Sequence, residues 1–182
     1  MNVILRAIKY LYVRYRLKVL KLEDRKIYID MDGVLAQWDT SATAHDTEQP
    51  GFFLSRKREP TIVELIKALE KMNADFSILS AVYQNGYAEK EKLLWLLDVV
   101  GPIEYTFVPY GDKKADYIRG TKNILIDDFS GNLHDWEASG NVGIKFYNGV
   151  NGTHGSWSSK NGKAIHKGQS VEDMLGVIAS VR

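Results

Sequence analysis

Asp30 and Asp32 place two carboxylates two residues apart where a short apolar run stops, and Gly33 follows them. Asp127 and Asp128 form a second acidic pair at the end of another apolar run. Between them in the chain stand Ser80, which also closes an apolar run, and the adjacent Lys113 and Lys114. Carboxylates gathered at one place repel one another unless a cation sits among them, and oxygen ligands of this kind suit Mg²⁺, which takes one or two carboxylates with waters and substrate phosphate. A lysine balances phosphate charge, a serine hydroxyl hydrogen-bonds a phosphate oxygen, and a glycine lets the backbone come close. The set outlines a metal and phosphate site. A lone Asp-x-Asp is equally an ordinary turn after a strand, so the reading depends on the elements that bring these segments together.

Those elements alternate between short apolar runs and helical periods, the pattern of an α/β domain built on a mainly parallel sheet with helices on both faces. Five strands are expected, at residues 26–31 (KIYIDM), 75–80, 103–109, 123–127 (NILID) and 142–147. A helix is expected after Pro60, where Thr61 and Glu64 have capping-box spacing and Ile62, Leu65, Ile66, Leu69 and Met72 share one face. A second runs over 87–99 with Leu93, Leu94, Leu96 and Leu97 as its buried stripe, and Gly101-Pro102 stops it. Short helices are expected near 113–118 and 133–138, and Ser170 opens a last one through Val171, Met174, Leu175 and Ile178. In open parallel sheets the active site lies at the carboxyl ends of the strands. Asp30 to Gly33, Ser80, the Lys113/Lys114 segment and Asp127-Asp128 therefore meet along one edge.

In that order the set resembles the haloacid dehalogenase (HAD) phosphohydrolase superfamily, whose four motifs match YIDMDGVL, ILS, a lysine of YGDKKAD, and ILIDD, over about residues 26 to 147. Within the superfamily the chain is similar to the bacterial and phage 5'(3')-deoxyribonucleotidases through DMDGVLAQW, PGFF at 50–53, EKLLW at 91–95 and LIDDF. The resemblance implies a three-layer Rossmann-like fold and an Mg²⁺-dependent phosphomonoester hydrolase acting on a nucleotide. It makes Asp30 the nucleophile that becomes an aspartyl-phosphate and Asp32 the group that protonates the leaving alcohol and then deprotonates water. Mg²⁺ is held by Asp30, the backbone carbonyl of Asp32, and Asp127, with Asp128 alongside; Ser80 and Lys114, chosen over Lys113, face the phosphate. Such enzymes often carry a cap after the first motif. Here residues 36–59 leave room only for a reduced cap or flap, which opens a second reading: a phosphatase for a nucleic-acid end or another bulky phosphate.

Around this centre, Trp38, Tyr83 and Gln84 are candidates to touch the leaving group, with core or surface packing as the alternative; Phe52 and Phe53 read as packing residues. Arg56, Lys57 and Arg58 form a basic cluster with a solvated face as its ordinary reading, and Trp95, Trp136 and Leu97 read as core. The four histidines share no ligand spacing. The turn-rich segment 147–157 reads as a hairpin or as a loop approaching the substrate edge. A different class of function, a phospho-acceptor signalling module, also clusters acids, a hydroxyl and a lysine on a parallel sheet. In such modules, however, the acceptor ends the third strand rather than the first.

The chain has 182 residues with a formal net charge of +1, 45% hydrophobic and 26% charged residues, which fits one globular domain and excludes disorder. With no cysteine there are no disulfides, thiolate metal sites or cysteine nucleophile, and no run of 18 apolar residues suggests a transmembrane segment. A cytoplasmic location is expected. Residues 26–182 read as the catalytic domain, and 1–25 as a basic amphipathic extension. Its bases Arg6, Lys9, Arg14, Arg16, Lys18, Lys21 and Arg25 face only Glu23 and Asp24. Packing on the domain or on a second subunit of a homodimer, a membrane or nucleic-acid contact, and a poorly ordered tail all remain open for it.

Overall fold

The computed structural model of the chain describes residues 25–150 and 163–181, together with Ile8, Leu11, Tyr12 and Tyr15, which are helical and exposed. The rest of the expected N-terminal helix lies outside the described residues, as does most of the 147–157 turn segment. The elements run β1 (Ile27–Ile29), α1 (Ala44–Thr47), α2 (Pro60–Lys71), β2 (Phe76–Val82), α3 (Ala88–Val99), β3 (Tyr105–Pro109), a 3-10 turn (Lys114–Tyr117), β4 (Ile124–Asp127), α4 (Ser130–Ala138), β5 (Val142–Tyr147), β6 (Ala164–His166) and α5 (Val171–Ser180).

The strands form one six-stranded sheet in the order β3-β2-β1-β4-β5-β6, and every pairing is parallel. This is the expected three-layer α/β fold with one strand more than the five expected. The three residues of β6 sit inside a Gly/Asn/Ser-rich stretch whose composition masks so short an apolar run.

Alternation along the central strands divides the core between two faces. Ile27, Ile29, Ile78, Ile124, Ile126, Ile144 and Phe146 turn one way, onto Leu65, Ile66 and Leu69 of α2, Trp95 and Leu96 of α3, and Met174 and Ile178 of α5. Tyr28, Leu79, Val108 and Leu125 turn the other way, onto Leu133 and Trp136 of α4. Trp136 has no exposed surface, meets the Tyr28 ring edge-on at 5.4 Å, and donates its indole N–H to the Asn123 carbonyl at 3.2 Å.

Two local expectations change. Helix α2 starts two residues earlier than the Thr61/Glu64 box implies, because Pro60 takes the first helical position and Glu59 caps it, accepting from the Thr61 N–H. In α3 the buried side chains are Ala88, Glu91, Lys92, Trp95 and Leu96, whereas Leu94 and Leu97 are about half exposed. The helix is turned so that two charged residues, not those leucines, face inward.

Candidate active site

Register sets the floor of the site. Ile29 of β1 pairs with Ile126 of β4, so Asp30 and Asp127 emerge side by side, and the Asp30 N–H donates to the Ile126 carbonyl at 3.0 Å. The sheet order reverses direction between β1 and β4, and such a switch point opens a crevice at the carboxyl ends of the strands. Lys114, delivered by the 3-10 turn, is buried between the two acids: its Nζ lies 2.8 Å from Asp30 Oδ1 and 2.7 Å from Asp127 Oδ2. Burial alone pulls the ammonium pKa down, but the Asp127 and Asp30 carboxylates reverse that and leave it raised. Lys113 is exposed and pairs with Asp135 instead. Asp30 has its pKa raised, first by burial, then by Asp127, Asp32 and Asp128, with Lys114 opposing.

Asp127 is held rigidly. Its Oδ1 accepts from the Phe129 N–H at 2.7 Å and its Oδ2 from Asn132 Nδ2 at 2.9 Å. Asn148 at the end of β5 donates to Asp128 Oδ2 at 2.8 Å and to the Gly33 carbonyl at 2.7 Å, joining the two acidic segments. Lys145, buried in β5, donates to the Asp128 carbonyl and to Ser130 Oγ. Gly33 has φ of +76°, and a Cβ on it would fall 2.2 Å from Asp128 Oδ2, so a bare backbone is what lets these segments meet. One oxygen each from Asp30, Asp127 and Asp128 lies within 4.8 Å of the others, all three buried. An all-oxygen set this compact, with one ammonium among three carboxylates, fits a small hard cation.

A third buried lysine, which enters the sequence reading only within EKLLW and without a role, organises the other side. Lys92 Nζ donates to Asp32 Oδ2, to Ser80 Oγ at 3.1 Å and to the Ala81 carbonyl at 2.6 Å. One Asp32 oxygen is thereby fixed, and the other is buried without a hydrogen-bond partner among the described residues. Its neighbour Glu91, 7% exposed, faces the flap: it accepts from the backbone N–H groups of Gly51 and Phe53. Trp95 Nε1 donates to the Arg56 carbonyl at 2.8 Å, and Tyr87 Oη to the Glu48 carbonyl. Residues 37–58 thus form a strap closed at its base by the Gln37 N–H to Lys57 carbonyl bond and fastened along α3. Phe52, Phe53 and Ala88 are its core, with Trp38 and Tyr83 packed against them. Arg56 lies over the Phe52 ring.

These elements enclose a cavity of about 480 Å³ lined by Asp30, Asp32, Lys92, Lys114 and Asp128 and by the aromatic side chains of Trp38, Phe53, Tyr83, Tyr110 and Phe129. Tyr83 and Tyr110 stack at 4.5 Å, and Phe129 is 59% exposed. Of the residues singled out from the sequence, Trp38 and Tyr83 line this cavity. Ser80 is fully buried behind Lys92, Gly33 sits under Asp128, and Gln84 lies on a separate depression with Glu48, Gln49 and Tyr87. Lys92 was detectable: Ala88, Glu91, Lys92, Trp95 and Leu96 recur at inward-facing helical spacing, and only the assumption that charges face solvent hides it. Lys145 carries a similar signal, a lysine within the apolar run VGIKFY.

No protein-family model and no curated protein matches the chain. Among solved structures it is similar to D,D-heptose 1,7-bisphosphate phosphatase from Burkholderia thailandensis, with a TM-score of 0.57 and 13% identity over 86% of this chain and 99% of that one. It is also similar to the D,D-heptose 1,7-bisphosphate phosphatase from B. bronchiseptica complexed with magnesium and phosphate, with a TM-score of 0.55 and 13% identity over 85% and 97%. At this identity the likeness is one of fold: the chain has the parallel α/β architecture of these phosphatases across nearly their whole length.

Proposed function

We propose that the protein is an Mg²⁺-dependent phosphomonoester hydrolase of the HAD superfamily, acting through Asp30 on nucleotides, as the 5'(3')-deoxyribonucleotidases do. One observation carries this reading: Asp30, Asp127, Asp128 and Lys114 converge, buried, at adjoining strand ends on a cavity that Asp32 also lines. The fold shared with two phosphatases, one holding magnesium and phosphate, agrees with it. Asp30, Asp127 and the Asp32 carbonyl would hold Mg²⁺, with Asp128 beside them, and the cation would offset the charge of the reacting phosphate.

In this reading an Asp30 carboxylate oxygen attacks phosphorus, forming an aspartyl-phosphate as the ester oxygen leaves. Asp32 gives that oxygen its proton, then takes one from the water that attacks the same phosphorus and returns Asp30 as a carboxylate. Lys92 holds Asp32 by one oxygen and leaves the other for proton transfer. Lys114 stays charged between Asp30 and Asp127. Ser80 steadies the Lys92 ammonium from behind. The nucleotide assignment draws on the aromatic walls, since Trp38, Tyr83, Tyr110 and Phe129 offer faces on which a base can stack. The strap is too short to be a full cap, and this favours as a second reading a phosphate at a nucleic-acid end, whose bulk an open cavity admits. Mg²⁺-dependent phosphate release from deoxyribonucleotides, ribonucleotides, sugar phosphates and a 3'-phosphorylated oligonucleotide, with Asp30→Asn as blank, is the test. Turnover of monomeric deoxynucleotides supports the first reading, turnover of the oligonucleotide alone supports the second, and no turnover sinks both.

A further inference from the structure

The cavity is charged unevenly. Its two lysines are buried against catalytic acids, Lys114 against Asp30, which would receive the phosphoryl group, and Lys92 against Asp32. The lining also carries Asp112, from the loop after β3, and Asp135, on α4, both reached by solvent. Asp112 accepts from the Tyr117 hydroxyl through Oδ2, and Asp135 Oδ1 pairs with Lys113 at 3.2 Å, which leaves the other oxygen of each carboxylate for a ligand. The rest of the lining includes the aromatic side chains of Trp38, Phe53, Tyr83, Tyr110 and Phe129. We propose that Asp112 and Asp135 are specificity residues that filter the leaving group by charge. They favour phosphomonoesters whose leaving group carries an exocyclic amino group, as an amino-bearing nucleobase does, and turn away substrates with a second phosphate.

The physical basis is simple. A carboxylate oxygen accepts hydrogen bonds and donates none, so an exocyclic amino group is matched there while a carbonyl oxygen is not. A second phosphate dianion at these acids would approach two carboxylates balanced by one lysine, a net repulsion that solvent moderates without removing. Sites that hydrogen-bond a substrate group discriminate strongly against analogues lacking it.

This rests on the phosphatase reading, and its test separates the two. kcat/KM is measured for the monophosphates of deoxyguanosine, deoxyadenosine and deoxycytidine against those of thymidine and deoxyuridine, and for fructose 1-phosphate against fructose 1,6-bisphosphate. The expectation is roughly a tenfold preference for the amino-bearing bases and for the single phosphate. Replacing both acids by Asn removes the charge and adds an amide donor that a base carbonyl can accept, so it should collapse both preferences, as should Asp112→Ala with Asp135→Ala. Ratios within about twofold of unity in the unaltered protein, or ratios the variants leave unmoved, overturn the filter while turnover upholds the phosphatase. If nothing is hydrolysed, the phosphatase reading fails. The filter is then judged by calorimetric binding of the same compounds to Asp30→Asn protein: a preference lost in the alanine variant supports it, and equal affinities or no binding overturn it.

Discussion

The floor of the site and its wall are built by different physics. At the floor, Asp30 and Asp127 are neighbours because β1 and β4 are paired in parallel, and backbone register alone brings them side by side. The wall has no such register. The 37–58 strap has little regular structure of its own and is held by side chains of α3: Glu91 grips two backbone N–H groups, Trp95 a carbonyl, and Lys92 joins the same helix to Asp32 and Ser80. A floor set by a sheet tolerates changes in its surroundings. A wall set by buried charges depends on each of them, because an ion that loses its partner in the interior is left unsatisfied.

The floor gives the largest expected effect. Asp30→Asn should lower turnover at least about 10³-fold, since no other group stands where the nucleophile does, while leaving thermal stability intact or raised because a buried charge is gone. Phosphate release and a melting curve check both halves; unchanged turnover would remove Asp30 from the reaction.

Lys92→Met comes next and joins the two regions. It strips Asp32 of its ammonium partner and leaves Ser80 and the Ala81 carbonyl without their donor, so roughly 3 kcal/mol of stability should go, together with about 10²-fold in kcat. Were Lys92 only structural, kcat per folded molecule would hold, which active-site titration against circular dichroism resolves. Gly33→Ala should cost about 2 kcal/mol, because the methyl meets the Asp128 carboxylate in a left-handed backbone region. Chemical denaturation measures it, and a neutral result would mean that Asp128 can swing clear.

The same division explains what the sequence shows and what it hides. Asp30, Asp32, Asp127 and Asp128 stand at or just beyond the ends of short apolar runs, where strand topology forces them to one edge, so local pattern was enough to gather them; Ser80, expected to close its strand, instead lies two residues inside β2, which runs on to Val82. Choosing Lys114 over Lys113 drew on the KAD segment, which suits the start of a helical turn, together with the family resemblance. Lys92, Glu91, Asn132 and Asn148 were not gathered. Their roles are set by tertiary partners 60 residues away for Lys92 with Asp32 and 115 for Asn148 with Gly33, and the helical spacing that turns Glu91 and Lys92 inward does not say what they meet there. The strand β6 escaped for a related reason: three residues are stabilised by pairing with β5, not by any periodicity of their own.

On the wall, Glu91→Gln sharpens the comparison. The amide keeps one acceptor for the two N–H groups and forfeits the charge, so the strap should loosen by about 1–2 kcal/mol without unfolding the sheet. Because Phe53 and Trp38 reach the cavity from the strap, KM should rise several-fold while kcat changes less, and trypsin should cut faster after Lys57 and Arg58. Equal loss of kcat and kcat/KM with an unchanged cutting rate would show that Glu91 acts on the floor rather than the strap.

The smallest effect is expected at Leu97, on the outer side of α3, and its measure is the buried leucine beside it. Leu96 is 1% exposed and packs against the sheet, while Leu97, one residue on, is 47% exposed. Leu96→Ala should therefore cost about 3 kcal/mol and Leu97→Glu within about 0.5 kcal/mol, measured by urea denaturation. A helix oriented by its leucines would show similar costs at both positions. The expected sixfold disparity follows only if Glu91 and Lys92 set the rotation of the helix, because burying that pair against the strap and Asp32 is what turns Leu97 toward solvent.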